Sequence, residues 1–179
     1  MAWNHPEDTQ GDQDSPLAMH ETVTVAGMKP DNTAKLAERI ELAVGMRAMI
    51  IINIATEANL ANGTRGEIID IKLDPREPSE PMEDEGTGAR LLSYPPVLVL
   101  FKPDHCTMPA FEVLPQGVLP VVPFLGKFTI RDRHNKPQRI SRRQLAITPA
   151  YAFTDYKSQG QTMGHRLRRT VAEQRQIHD

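Results

Sequence analysis

Proline sets the first limit on what this chain can fold into. Fifteen prolines and eleven glycines among 179 residues favour short strands, turns and loops over long helices. Proline removes a backbone donor and breaks helix interiors, and glycine leaves the backbone unrestrained. A chain of this length predicts one domain, with room for a modest core or two small lobes.

Order is expected to begin at Ile40. The run Ala43-Val44-Gly45-Met46-Arg47-Ala48-Met49-Ile50-Ile51-Ile52-Asn53 is apolar and β-branched, as a mostly buried strand would be. Asn62-Gly63 tolerates the positive φ of a tight turn, and Gly66 lets the backbone bend again. Glu67-Ile68-Ile69-Asp70-Ile71-Lys72-Leu73 then alternates, which predicts a hairpin. A proline- and acid-rich loop over 74–88 precedes a third strand at Val97-Leu98-Val99-Leu100-Phe101. The prolines of 103–123 allow only brief extended pieces. Phe128-Thr129-Ile130 and Arg139-Ile140 flank Arg133-His134-Asn135-Lys136, a second predicted hairpin. Short strands at this spacing point to a small barrel or sandwich over 40–143. Residues 1–39 have few apolar positions and no sustained period. They predict a poorly ordered segment, with at most a helical turn or two over 32–39 capped by Asp31 or Asn32.

Composition narrows the function classes. Cys106 is the single cysteine, so no internal disulfide framework exists and an intracellular, reducing compartment is expected. His105-Cys106 lacks the further ligands zinc needs. The apolar run 42–55 carries Arg47 and Asn53 and is shorter than a membrane span, so no membrane partner is expected. No Ser-His-Asp, Cys-His or paired-carboxylate arrangement marks a hydrolase. The net charge of -2 hides a division: 1–126 hold nine Lys and Arg against nineteen Asp and Glu, while 127–169 hold eleven against two. Such a basic third is what a nucleic-acid contact surface would present, or else two solvated faces that neutralise each other.

From Gln144 the character changes. Leu145-Ala146-Ile147-Thr148-Pro149-Ala150-Tyr151-Ala152-Phe153 is apolar without alternation, which suits a strand buried on both faces of an α/β sheet. It runs into Thr154-Asp155-Tyr156-Lys157-Ser158-Gln159-Gly160-Gln161-Thr162. A strand ending in such a turn aims N–H groups and hydroxyls over the sheet edge, where phosphates bind. A plain polar turn closing a strand is the alternative.

Two stretches, in this order, resemble the PIF-type and RecD-like, Helitron-related DNA helicases. The first is Leu42-Ala43-Val44-Gly45-Met46-Arg47-Ala48-Met49, then Asn53, then Asn62-Gly63-Thr64-Arg65-Gly66; the second runs from Arg142-Arg143-Gln144 through Pro149-Ala150-Tyr151-Ala152 to Lys157-Ser158-Gln159-Gly160-Gln161-Thr162. The resemblance covers about residues 40–164, and its second motif is the specific one. It implies a mostly β fold, a small SH3-like β-barrel insertion, joined to an incomplete RecA-like α/β motor domain. Residues 40–143 would be the insertion, 144–164 a strand and turn of the second motor domain, and 165–179 a divergent charged tail.

By the same resemblance, Thr154, Tyr156, Lys157, Ser158 and Gln159 would face single-stranded DNA, and Gly160 and Gln161 would face ATP. Tyr156 stands where many relatives carry His; it can stack on a base but holds no charge near neutral pH. Arg142 and Arg143, with Arg139, are candidate phosphate contacts from the barrel side, or solvent-exposed strand residues. ATP and Mg²⁺ are implied cofactors, DNA unwinding in repair, recombination or transposition the implied activity, and the nucleus the implied location. The phosphate-binding Gly-x-x-x-x-Gly-Lys-Ser/Thr loop that hydrolysis requires does not occur in this sequence. The expectation is a helicase fragment, inactive as an ATPase, whose partner would be the missing first motor domain. A stand-alone nucleic-acid-binding module and a non-functional remnant are the competing readings.

Overall fold

The computed structural model describes residues 1–11, 15–55, 60–106 and 113–150. In chain order the first elements are β1 (Ala2–Asn4), β2 (Glu7–Gln10), β3 (Ser15–Pro16) and helix α1 (Met19–Ala26). Then come β4 (Ile40–Leu42), β5 (Arg47–Ile50), β6 (Arg65–Lys72), β7 (Met82–Glu83) and β8 (Arg90–Leu92). The last are β9 (Leu98–Pro103), β10 (Leu119–Val121), β11 (Phe124–Arg131), β12 (Pro137–Gln144) and β13 (Ile147–Pro149). They form three sheets, ordered β10-β9-β6-β5-β13, β11-β12-β2-β3 and β4-β1-β8-β7. The chain is mostly β, but among the described residues no sheet closes into the expected barrel.

The five-stranded sheet is entirely antiparallel. β5 and β6 pair Arg47 with Glu67 and Met49 with Arg65, so residues 51–64 connect them rather than a two-residue turn. Within that connection Asn62-Gly63 makes a local turn, with Gly63 at φ 94° and its N–H donating to the Ile50 carbonyl. Gly66 serves close approach, not a bend: a Cβ there would lie 2.3 Å from the Lys102 carbonyl oxygen and 2.6 Å from the Phe101 ring. Ile68, Val99, Phe101, Leu119, Ile50 and Ile147 are buried together on this sheet, with Leu42 of β4 packed in the same cluster. Each such side chain contributes roughly 1.5–3 kcal/mol by leaving water.

The apolar run after Gln144 departs from expectation. Its described part, to Ala150, is antiparallel and stands at the sheet edge among the described residues: β13 pairs with β5, Ile147 opposite Ile50 and Pro149 opposite Ala48. Pro149 has no N–H to donate, which an edge position tolerates and a central strand does not. The one parallel pairing among the described residues joins β1 to β8.

Residues 1–39 also differ from the poorly ordered segment that their composition predicts. β1 pairs with both β4 and β8, and β2 pairs with β12. Few apolar side chains are needed, because a strand can be held by its ladder and by polar anchors. The Arg39 guanidinium stacks 3.7 Å from the Trp3 ring, and the buried Asn4 side chain donates to Gln144 Oε1. α1 has no side-chain cap at Ala18; instead Glu21 accepts the Ala18 N–H at 2.9 Å. Its Val25 packs on Ile130 and Ile140, with Leu17, Met28 and Phe128 around them.

Over 32–39 no helix forms beyond a 3-10 turn at Pro30–Asn32. Ala34 (φ 53°) and Lys35 (φ 64°) adopt the left-handed region, which delivers Leu36 fully buried. Gly126 makes room for it, since a Cβ there would lie 2.6 Å from Ala34 Cβ and 2.9 Å from Leu36 Cδ1.

Candidate nucleic-acid interface

The β11–β12 hairpin separates its residues by chemistry. Gly126, Phe128 and Ile130 stand opposite Arg142, Ile140 and Gln138, and this face meets α1 and Leu36. The opposite face pairs Leu125 with Arg143, Lys127 with Ser141, Thr129 with Arg139 and Arg131 with Pro137. Period-two alternation puts these side chains on one side. Leu125, Lys127, Thr129, Arg131 and Arg139 are exposed there. Four cations, Lys127, Arg131, Arg139 and Arg143, therefore share a single outer sheet face.

The tip of the hairpin is built by Asp132. Its carboxylate accepts the His134 and Lys136 N–H groups, both at 2.8 Å, and Asn135 takes φ 61°. Those backbone donors, Lys136 first, hold the Asp132 carboxyl below its usual range. Arg131 Nη1 donates to the Asn135 carbonyl at 3.0 Å, while Arg133, His134 and Lys136 are exposed.

Arg142 must be removed from the expected phosphate contacts. Only 1 % of it is exposed. Its Nε and Nη2 donate to the two Asp8 carboxylate oxygens at 2.8 and 2.7 Å, and Nη1 donates to the Leu36 carbonyl at 3.2 Å. The register explains this, because Arg142 and Asp8 are cross-strand partners on the inner face. The adjoining cleft, about 310 Å³, is lined by His5, Pro6, Asp8, Leu17, Glu38 and Arg142 among others. Asp8 and Glu38 put two carboxylates against any anion entering it.

Arg143, one residue on, is half-exposed on the outer face. Its Nη1 donates to Glu7 Oε2 at 3.1 Å. Arg76 reaches the same carboxylate from the loop after β6, with Nη1 to Oε1 at 3.0 Å and Nη2 to Oε2 at 3.4 Å. The Arg76 hydrogen bond, then that of Arg143, hold the Glu7 carboxyl below its ordinary value against the opposing effect of burial. Asp74 accepts Arg76 Nε and Nη2, both at 3.0 Å, which brings its carboxyl down to about 2. The Arg76 guanidinium also lies 4.1 Å from the Tyr94 ring.

The remaining expected site residues, Thr154, Tyr156, Lys157, Ser158, Gln159, Gly160 and Gln161, lie outside the described residues. No group of three or more potential metal ligands occurs among the described residues. No described helix is long and apolar enough to cross a membrane. The sequence reading missed Lys127 and Arg131 because it took only Phe128-Thr129-Ile130 as strand. Extending the alternation of basic and small or apolar residues across 125–131 would have found them.

Neither a family model nor a curated protein matches this chain. Solved structures similar to it include Pif1 helicase from Candida albicans, at TM-score 0.46 and 20% identity, covering 90% of this chain and 32% of that one. Unliganded Pif1 from Bacteroides sp gives TM-score 0.40 and 20% identity, covering 70% and 30% respectively. Pif1 helicase from Bacteroides in complex with ADP-AlF3 and ssDNA gives 0.44 and 16%, covering 88% and 26%. The chain thus spans about a third or less of the length of these structures.

Proposed function

We propose that this chain is part of an ATP-dependent DNA helicase of the PIF type, and that it contacts single-stranded DNA through the outer face of the β11–β12 hairpin. The observation that carries the reading is the set of four cations, Lys127, Arg131, Arg139 and Arg143, on one side of one sheet. Such a face follows a phosphate backbone without reading bases. The motif ending in Lys157-Ser158-Gln159-Gly160-Gln161-Thr162 supports the assignment to that helicase type. On that reading Thr154, Tyr156, Lys157, Ser158 and Gln159 extend the DNA contact. Gly160 and Gln161 then belong to a cleft for ATP and Mg²⁺ completed by a first motor domain.

Binding of labelled oligothymidylate across a salt series tests the interface. The logarithm of affinity should fall with the logarithm of salt at about -0.7 for each phosphate contact. Lys127→Ala with Arg139→Ala should flatten that slope by roughly two contacts' worth. Salt-independent binding, or none at low salt, would refute the interface. Turnover of ATP by this chain alone, with or without single-stranded DNA, should be absent; turnover like that of a complete motor would refute the partial assignment.

A stand-alone nucleic-acid-binding module is the second reading, favoured because the four cations sit on one hairpin and need no further domain. It is distinguished by adding a first motor domain of the PIF type, which should then change neither DNA binding nor turnover.

A further inference from the structure

We infer that the guanidinium groups of Arg76 and Arg143 form a phosphodiester-binding site at the margin of this face, and that Glu7 holds it closed as a built-in competitor. The inference rests on the proposed DNA-binding role of the outer face. Arg76 comes from the loop after β6, Arg143 from β12 and Glu7 from β2, so three separate parts of the chain converge on one carboxylate. Both Glu7 oxygens are engaged, Oε1 by Arg76 and Oε2 by both arginines. A phosphodiester presents the same chemistry: one negative charge shared by two oxygens, which suits forked guanidinium donors.

The site is reachable and preorganised. The side chains of Glu7, Arg143 and Arg76 are 30%, 33% and 49% exposed, unlike the buried Asp8–Arg142 pair beside them. Arg76 is fixed from below by the Tyr94 ring and from the side by Asp74. The Tyr94 N–H in turn donates to Glu77 Oε1 at 2.6 Å, which ties the loop to the residue under the guanidinium. Glu7 itself stays in the β2–β12 ladder opposite Arg143. Opening is therefore a rotation of the Glu7 side chain, which frees Arg143 and the Nη1 side of Arg76 for a phosphate while Asp74 keeps Arg76 Nε and Nη2.

The test compares oligothymidylate binding to the full chain, Glu7→Gln, Arg76→Ala and the Glu7→Gln/Arg76→Ala double variant across a salt series. Glu7→Gln should bind about fivefold tighter, the fold-change matching the Coulomb energy of one unit charge near contact in a water-like dielectric. Its salt slope should steepen by about 0.7, one more phosphate contact. The gain should vanish in the double variant. If Glu7→Gln binds no tighter while Lys127→Ala and Arg139→Ala still weaken binding, the gate is overturned and the proposed interface stands. If the gain appears but Lys127→Ala and Arg139→Ala change nothing, the gated site stands and the outer face does not. Should Glu7→Gln fail to fold, side-chain Nε–H signals of Arg76 and Arg143 in the unaltered chain decide: both should shift with oligothymidylate. Absence of those shifts, or shifts with inorganic phosphate alone, overturns the proposal.

Discussion

The five-stranded sheet and the β11-β12-β2-β3 sheet are held by different physics. In the first, Ile50, Ile68, Phe101 and Ile147 meet in an apolar layer, and its ion pair Arg47–Asp104 stays at the rim, with both side chains over a third exposed. In the second, a guanidinium is buried against a carboxylate contributed from 134 residues away, and α1 supplies only a small apolar cover. An apolar layer tolerates substitution by degrees, because each methylene contributes its own increment. A buried ion pair does not, because losing one partner leaves the other desolvated and alone. The two sheets should therefore fail in different ways.

The largest effect is expected from Asp8→Ala. It leaves Arg142 buried without its carboxylate and should lower stability by about 3–5 kcal/mol, measured by urea unfolding. A loss under 1 kcal/mol would erase the contrast between the sheets. Ile68→Ala, in the apolar layer, should cost about 2–5 kcal/mol through lost burial and the cavity left behind. Hydrogen exchange can sharpen the comparison, since Asp8→Ala should expose β2 and β12 amides before those of β6 and β9.

Smaller effects follow at the margins. Lys35→Gly should raise stability by about 1 kcal/mol, because glycine adopts φ 64° without the left-handed strain that other residues carry. A melting temperature unchanged or lowered would show that the strain is illusory. Arg47→Ala should cost only about 0.2–1 kcal/mol in the same unfolding measurement, as an exposed pair does.

Acid should loosen the N-terminal strand as the carboxyls that anchor it protonate. The carboxyls of Glu7 and Asp74 are both depressed in the fold, Asp74 to about 2. Their stabilisation is complete above the ordinary carboxylate range, and it is lost as pH falls from about 4.5 towards 2. Exchange rates of β2 amides followed through that window check the sign. Greater protection at pH 3 than at pH 6 would contradict it.

Local signals in the sequence carried much of the fold. Arg133-His134-Asn135-Lys136 marked the β11–β12 hairpin and Asn62-Gly63 a turn just before β6, because each needs residues that accept positive φ or cap their own turn. What stayed hidden was non-local. Nothing near Arg142 reveals that Asp8 will neutralise it, so a basic pair at 142–143 reads as surface when only Arg143 is. The N-terminal strands were illegible for the same reason: Trp3 and Asn4 gain their places from Arg39 and Gln144, not from their own pattern. For the interface, the alternation from Leu125 to Arg131 was present in the sequence. The convergence of Arg76 on Glu7 depends on how a loop folds back, and no spacing rule announces it.

The placing of β2 beside β12 has a consequence for how the chain must be born. Asp8 is synthesised well over a hundred residues ahead of the arginine that it satisfies, so until then its strand has only the two-residue β3 to pair with. Sequence separation of this kind makes folding slow. It also leaves a bare acidic ribbon, and later an open basic strand edge, seeking company during synthesis. Pairing of β2 with β12 is thereby also the moment at which both of those edges are covered.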